Sequence, residues 1–252
     1  MSNQNPDLGA LFRKYPRLFI AVAVLLIIGA LLYSYFRRPS APTLTTSLPE
    51  MREKPRPVDR EFRGCPPEGD GGDAELNRLK NRIDDGNYIP VQFDAVEQLQ
   101  WPPSIERQRR SKWSSADTAA VERYEGLPIV VEGYLAGSKL EGPESPNCHG
   151  ADDDFRDFHI WLTKTAGEDR SQSIVVEVTP PIRAKHPNWR TDVLRRIVRE
   201  KLRVRVSGWL LLDPEHPDQV GKTRGTIWEI HPIMQIEVEQ NGRWVPLDNF
   251  GG

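Results

Sequence analysis

The chain has 252 residues, 34 Lys+Arg against 36 Asp+Glu, 38% hydrophobic residues and two cysteines. That is room for one sizeable domain plus an appended segment, and it excludes a polybasic nucleic-acid tail, an acidic disordered chain and a disulfide-dense scaffold. Residues 126–252 carry 16 basic against 19 acidic side chains, which argues against a duplex binder that works by neutralising phosphates.

Residues 18–36 (LFIAVAVLLIIGALLYSYF) hold no charge and no proline. At about 1.5 Å per residue they reach about 28 Å, the hydrocarbon thickness of a bilayer. Arg13, Lys14 and Arg17 precede the run, Arg37 and Arg38 follow it, and Tyr33, Tyr35 and Phe36 stand where an aromatic belt lies. No small-x-small cleavage site closely follows the run, and Pro39 and Pro42 flank Ala41, so a retained single-pass anchor is expected in preference to a signal peptide. The expected layout is a tail over 1–17, the span over 18–36, a linker over 37–63, a helical lead-in over 64–126 and a β domain over 127–252. The flanking charges nearly balance. A short cationic tail in the cytoplasm and an exported domain is the preferred topology, which places the protein in the inner membrane with its domain on the far side.

The stretch 39–67 contains seven prolines and no apolar period, the signature of a semi-extended spacer. Asp73 then offers an N-cap for a helix with Leu76, Leu79 and Ile83 on one stripe. A second helix is expected from Ser104 to Glu122. Its early basic run, Arg107, Arg109, Arg110 and Lys112, reads as a solvated face, or as a patch for phosphate or lipid headgroups.

From Leu127 the texture changes to strands. Residues 128–135 (PIVVEGYL), 155–164 (FRDFHIWLTK) and 173–179 (SIVVEVT) are rich in β-branched and aromatic residues. A helix is expected over 188–201, with Trp189, Val193, Leu194, Ile197 and Val198 on its apolar face. Two strands follow, 202–212 with Leu202, Val204, Val206, Leu210 and Leu212 facing one way, and 226–239, where Pro232 must sit at an edge or bulge. The order β-β-β-α-β-β is that of an OB-like five-stranded barrel, with Gly133 and Gly208 placed for sharp bends. The fold class is thus mainly β with helices, behind an N-terminal membrane span.

The stretches 64–82 (GCPPEGDGGDAELNRLKNR), 124–135, 157–162, 204–217 (VRVSGWLLLDPEHP) and 224–238 (RGTIWEIHPIMQIEV) resemble a family of bacterial membrane-anchored proteins with an OB-like domain. The resemblance implies one architectural unit across most of residues 64–240. It carries no catalytic residues to transfer.

Several polar groups invite chemistry. His159, His216 and His231 fall on or beside three expected strands, with Cys148, His149, Asp157, Asp213, Glu215 and Glu229 near them. Convergence of the three histidines at one barrel end would suit a divalent metal, although no standard zinc spacing is present. Asp157 with His159, or Glu229 with His231, share a strand face and could serve a metal-dependent hydrolase as base and orienting group. Arg203, Arg205 and Trp209 are expected on the face opposite the apolar set, with Trp228 close by, the kind of surface that stacks single-stranded nucleic acid or an oligosaccharide. The GKT at 221–223 is not a P-loop, since its first glycine would fall on His216. Cys65 and Cys148 could form one bridge or remain two free thiols. With no motif that names a reaction, the leading expectation is a non-enzymatic, membrane-tethered binding or scaffold domain with a possible protein partner.

Overall fold

Strand formation in this chain follows its β-branched runs, and the computed structural model, which describes residues 15–36, 45–51 and 56–250, arranges them as a closed barrel. The chain divides into two units, Met1–Pro42 and Thr43–Gly252.

The first unit contains helix α1, Pro16–Phe36. It starts two residues before the expected span because Pro16 takes the first helical position, where a missing N–H costs nothing. Its window Pro16–Tyr33 has a mean hydropathy of 2.3 and none of it is buried. The helix is therefore long and apolar enough to cross a membrane. The tail over 1–14 and the residues 37–44 lie outside the described residues.

In the second unit, much of the proline-rich stretch is bonded into the domain. Thr45 bridges to Val91, Leu48 is buried, and Met51 N donates to Arg123 O at 2.8 Å. Asp59 pairs with Arg82. The described part of the stretch read as a spacer is thus a strap on the domain. Helix α2, Ala74–Lys80, is capped as expected, with Asp73 accepting from Glu75 N and Leu76 N. Leu76 and Leu79 pack on Leu211. Strand β1, Ile89–Val91, and helix α3, Phe93–Glu97, follow.

The single helix expected over 104–122 is replaced by two 3₁₀ turns, Pro103–Ile105 and Arg110–Lys112, and helix α4, Ser115–Glu122. The physical reason is Arg110. Its guanidinium turns inward to a bidentate pair with Glu125 at 2.6 and 2.7 Å, and this buried bond holds the chain off the helical path. Within the basic run, Arg110 therefore belongs neither to a solvated face nor to a phosphate patch.

The barrel strands are β2 (Pro128–Leu140), β3 (Phe158–Thr163), β4 (Ile174–Val178), β5 (Arg203–Leu212) and β6 (Trp228–Gln240). They pair β2–β3–β4–β6–β5, and β5 returns to β2, closing a five-stranded barrel in a mixed sheet. Only the β4–β6 contact is parallel among these five. Two strands not expected from the sequence extend the sheet, β1 on β2 and β7 (Arg243–Pro246) on β6. Between β4 and β5 lie α5 (Pro180–Arg183) and α6 (Thr191–Glu200), which buries Leu194 and Ile197 completely.

The long strand β2 serves two neighbours, β5 through Pro128–Tyr134 and β3 through Tyr134–Leu140. Gly133 sits at the changeover, where a Cβ would come within 2.4 Å of Thr163 O. Opposite, the β5–β6 register slips at Gly208, so that Trp209 faces both His231 and Pro232. Pro232 therefore sits at a bulge, as its missing N–H requires.

Candidate functional site

Cross-strand register, more than sequence proximity, assembles the polar centre. His159 on β3 lies directly opposite Glu177 on β4. The parallel β4–β6 pairing, Val175 with Glu229 and Val176 with Ile230, brings the β6 residues Glu229 and His231 alongside. Glu141, just past the end of β2, closes the group from the other side.

Glu177 is the hub. One carboxylate oxygen accepts from His159 Nδ1 at 2.6 Å, and the other lies 3.4 Å from His231 Nδ1. His159 Nδ1 is also 3.0 Å from Glu141 Oε1. Glu229 lies 3.4 Å from the same nitrogen of His231 and is held by Arg224 at 2.7 Å. Asp157 accepts a hydrogen bond from Asn147 through one oxygen at 3.0 Å, while its other oxygen stands 3.8 Å from His231 Nε2. Those last two atoms are buried and have no hydrogen-bond partner. Asp157, Glu229 and His231 are at most 1% exposed, so their charges are taken wholly out of water.

The electrostatics follow from that burial. Desolvation opposes a charged His159, yet its hydrogen bonds to the Glu141 and Glu177 carboxylates outweigh it and raise the imidazole to about 9. Glu141 is lowered to about 2 against its own burial by His159 and Lys139. Burial pushes Asp157 up, with Glu177 adding repulsion and His231 opposing, and it pushes Glu144 up together with Asp157 and Glu177. Glu177 and Glu229 are instead held low against burial, the first by hydrogen bonding to His159, the second by the Arg224 charge.

Above this centre opens a cleft of about 860 Å³. His159, Trp161 and Glu177 of β3 and β4 line it, with the β2–β3 loop, the β5–β6 loop and the chain entering α2. Its carboxylates, Asp70, Glu141, Glu177, Asp213, Glu215 and Asp218, with Glu144 held up at about 8 by burial, outnumber its cations, Lys80, Lys139, His159, Lys222 and Arg224. The loop wall is fixed by the disulfide between Cys65 and Cys148, by Asp70 N donating to Ser145 O at 2.9 Å, and by Asn81 Nδ2 donating to Pro146 O at 2.7 Å.

Of the three histidines expected to converge, two do. His159 and His231 meet through Glu177. His216 is exposed on the β5–β6 loop, beside Asp213 and Glu215, because β5 ends at Leu212 and the chain leaves the barrel there. The pair Glu229–His231 forms as its spacing suggests, but Asp157 faces His231 and not its own strand neighbour His159.

The expected stacking surface does not form. Trp209 is buried, with the Arg82 guanidinium 3.3 Å above its ring, and Trp228 is buried beneath Gln100. Arg205 pairs with Glu237 at 2.6 Å and Arg203 with Glu132. None of these four residues lines the cleft.

Glu177 and Glu141 were missed in the sequence. A carboxylate inside the uniformly β-branched run IVVEV was the available signal, since a buried strand carries a charge only when it is partnered. Comparison with family models, with characterised proteins and with solved structures gives no match to this chain.

Proposed function

We propose that this chain is a membrane-tethered, non-enzymatic binding domain whose OB-like barrel receives a basic segment of a partner protein in its acidic cleft. The observation that carries this reading is the position of the cleft. It lies over the second and third barrel strands, β3 and β4, between the loops that join the first to the second and the fourth to the fifth. OB barrels present ligands on that face and between those loops. The OB reading is supported by the neighbour order first–second–third–fifth–fourth and back to first, with α6 between the third and fourth strands. Such an analogy names a place and not a ligand.

The ligand class follows from charge. A surplus of carboxylates repels phosphates and attracts cationic side chains, and Trp209 and Trp228 are buried away from the cleft. The membrane reading rests on α1, and the disulfide favours an inner-membrane protein with its domain on the oxidising, extracytoplasmic side.

The test uses the full-length chain in detergent. Tryptophan fluorescence titrated with deca-lysine gives a saturable, salt-sensitive change, which Glu215→Lys weakens, while single-stranded dT10 gives none. A flat deca-lysine titration, tighter binding of dT10, or metal-dependent turnover of a phosphodiester or ester substrate overturns the proposal. A C-terminal reporter that fluoresces only in the cytoplasm stays dark if the topology is right.

A further inference from the structure

We propose that Asp157, Glu177 and His231 bind a divalent transition-metal cation beneath the floor of the cleft. This site lies behind the ligand surface, and it stands whether or not the cleft receives a basic segment.

The argument begins with two buried acceptors that face each other. His231 Nδ1 looks at two carboxylate oxygens, of Glu177 and Glu229, each 3.4 Å away. Oxygens that only accept draw the ring proton to that nitrogen. The lone pair of Nε2 then points toward Asp157 Oδ2 at 3.8 Å, and neither atom has a hydrogen-bond partner. Protonating Nε2 as well does not repair this, because 3.8 Å is too long for a hydrogen bond.

A metal ion does repair it. Metal–nitrogen and metal–oxygen bonds of about 2.0–2.2 Å sum to more than 3.8 Å, so one cation reaches both atoms along a bent bridge. Glu177 provides the third ligand by turning its Oε2 from His231 Nδ1 to the cation, which leaves Glu229 to accept from that nitrogen; one donor atom from each of Asp157, Glu177 and His231 lies within 4.8 Å of the others.

Charge points the same way. Glu229 has Arg224 at 2.7 Å and Glu177 has His159 at 2.6 Å, whereas among the described residues the Asp157 carboxylate accepts only from the neutral Asn147. A fully buried carboxylate without a cation is costly. The surroundings also resemble the outer layer of a metal site: Glu229, held by Arg224, faces the far nitrogen of the ligating imidazole, and Asn147 orients Asp157. One imidazole with two carboxylates suits zinc or manganese better than magnesium. Glu177 lines the cleft, which gives the ion its way in.

Among the described residues, the two other groups with metal-like composition lack this feature. His159 already bridges Glu141 and Glu177 at 3.0 and 2.6 Å. Asp213, Glu215 and His216 contain no buried atom without a partner.

The experiment takes the full-length chain in detergent, strips it with EDTA, and dialyses it against ZnCl₂ or MnCl₂ before elemental analysis. One equivalent is retained. Asp157→Asn and His231→Gln lose it, whereas His216→Ala and Glu141→Gln keep it; circular dichroism checks that each variant is folded. X-ray absorption of the zinc-loaded wild type finds nitrogen and oxygen ligands with a single imidazole, a readout that needs no variant. No stoichiometric metal in the wild type, retention by both Asp157→Asn and His231→Gln, loss in His216→Ala or Glu141→Gln, or a shell with no imidazole or two overturns the proposal. A metal-free result alongside a saturable deca-lysine titration sinks the cation site and leaves the binding-domain reading intact.

Discussion

Arg110 and Glu125 form a buried pair whose removal can be costed from the structure. Their side chains are 4% and 1% exposed, and two hydrogen bonds of 2.7 and 2.6 Å join them. Arg110 also donates to Leu212 O at 3.1 Å, and Glu125 accepts from Leu212 N at 3.2 Å, so the pair stitches the 3₁₀ turn to the end of β5. Glu125→Leu leaves a buried guanidinium without its bonded carboxylate, with only the more distant charges of Glu75 and Asp73 acting on it, which costs about 3–5 kcal/mol. Replacing both partners by apolar residues removes both desolvation penalties at once. The double variant Arg110→Met/Glu125→Leu is therefore expected to be more stable than the single variant Glu125→Leu. Guanidinium unfolding of the full-length chain, followed by tryptophan fluorescence, compares the wild type with Arg110→Met, Glu125→Leu and the double variant. A loss under about 1 kcal/mol for Glu125→Leu, or a double variant whose cost equals the sum of the singles, refutes this account.

Three other outcomes are expected. Cys65→Ser opens a bridge that spans 83 residues of sequence, and chain entropy sets an upper limit of about 4.5 kcal/mol on the loss, read as a lower thermal midpoint that dithiothreitol reproduces in the wild type. Gly208→Ala places a Cβ 2.4 Å from Pro232 O and 2.6 Å from Ile230 Cγ2, so it costs about 1–3 kcal/mol, and an unchanged melt would show that the bulge yields freely. In EDTA-treated protein, His159 is held up at about 9 against an ordinary 6.5. A raised pKa stabilises the fold fully below the ordinary value, and that contribution fades as pH rises through about 9. The guanidinium midpoint of the wild type should fall over that window relative to His159→Gln, and parallel curves would remove His159 from the account.

The five barrel strands and the helix between the third and fourth were legible because their signal is local: β-branched runs at period two, and an apolar stripe at helical period. Strands β1 and β7 were not, since segments of three and four residues carry too little pattern and pair only because a neighbour offers an edge. Trp209 shows what a period-two reading leaves out. It stays on the strand face opposite Val206, Leu210 and Leu212, but the segment before β1 covers that face, with the Arg82 guanidinium over the ring and Asp84 O accepting from its Nε1. The site was half legible. Spacing placed Glu229 beside His231, but the meeting of His159 with His231 depends on β4 lying between their strands and contributing Glu177. That adjacency is topological, and nothing near either histidine in sequence announces it. His216 was misplaced for the converse reason, since it follows a strand in sequence but sits beyond the strand's end.

The seam between β2 and β5 also governs when this domain can come into being. Residues 128–134 must find residues 203–209, and β6, starting at Trp228, must then fill the gap between β4 and β5. The entropy of closing so long a loop is spent before any of those contacts can repay it. On a chain emerging from the ribosome, the first three barrel strands therefore wait with unpaired edges until β5 and β6 have been made. A product that stops before Trp228 keeps those edges open for good, which makes it a substrate for chaperones and proteases and a seed for sheet-to-sheet association.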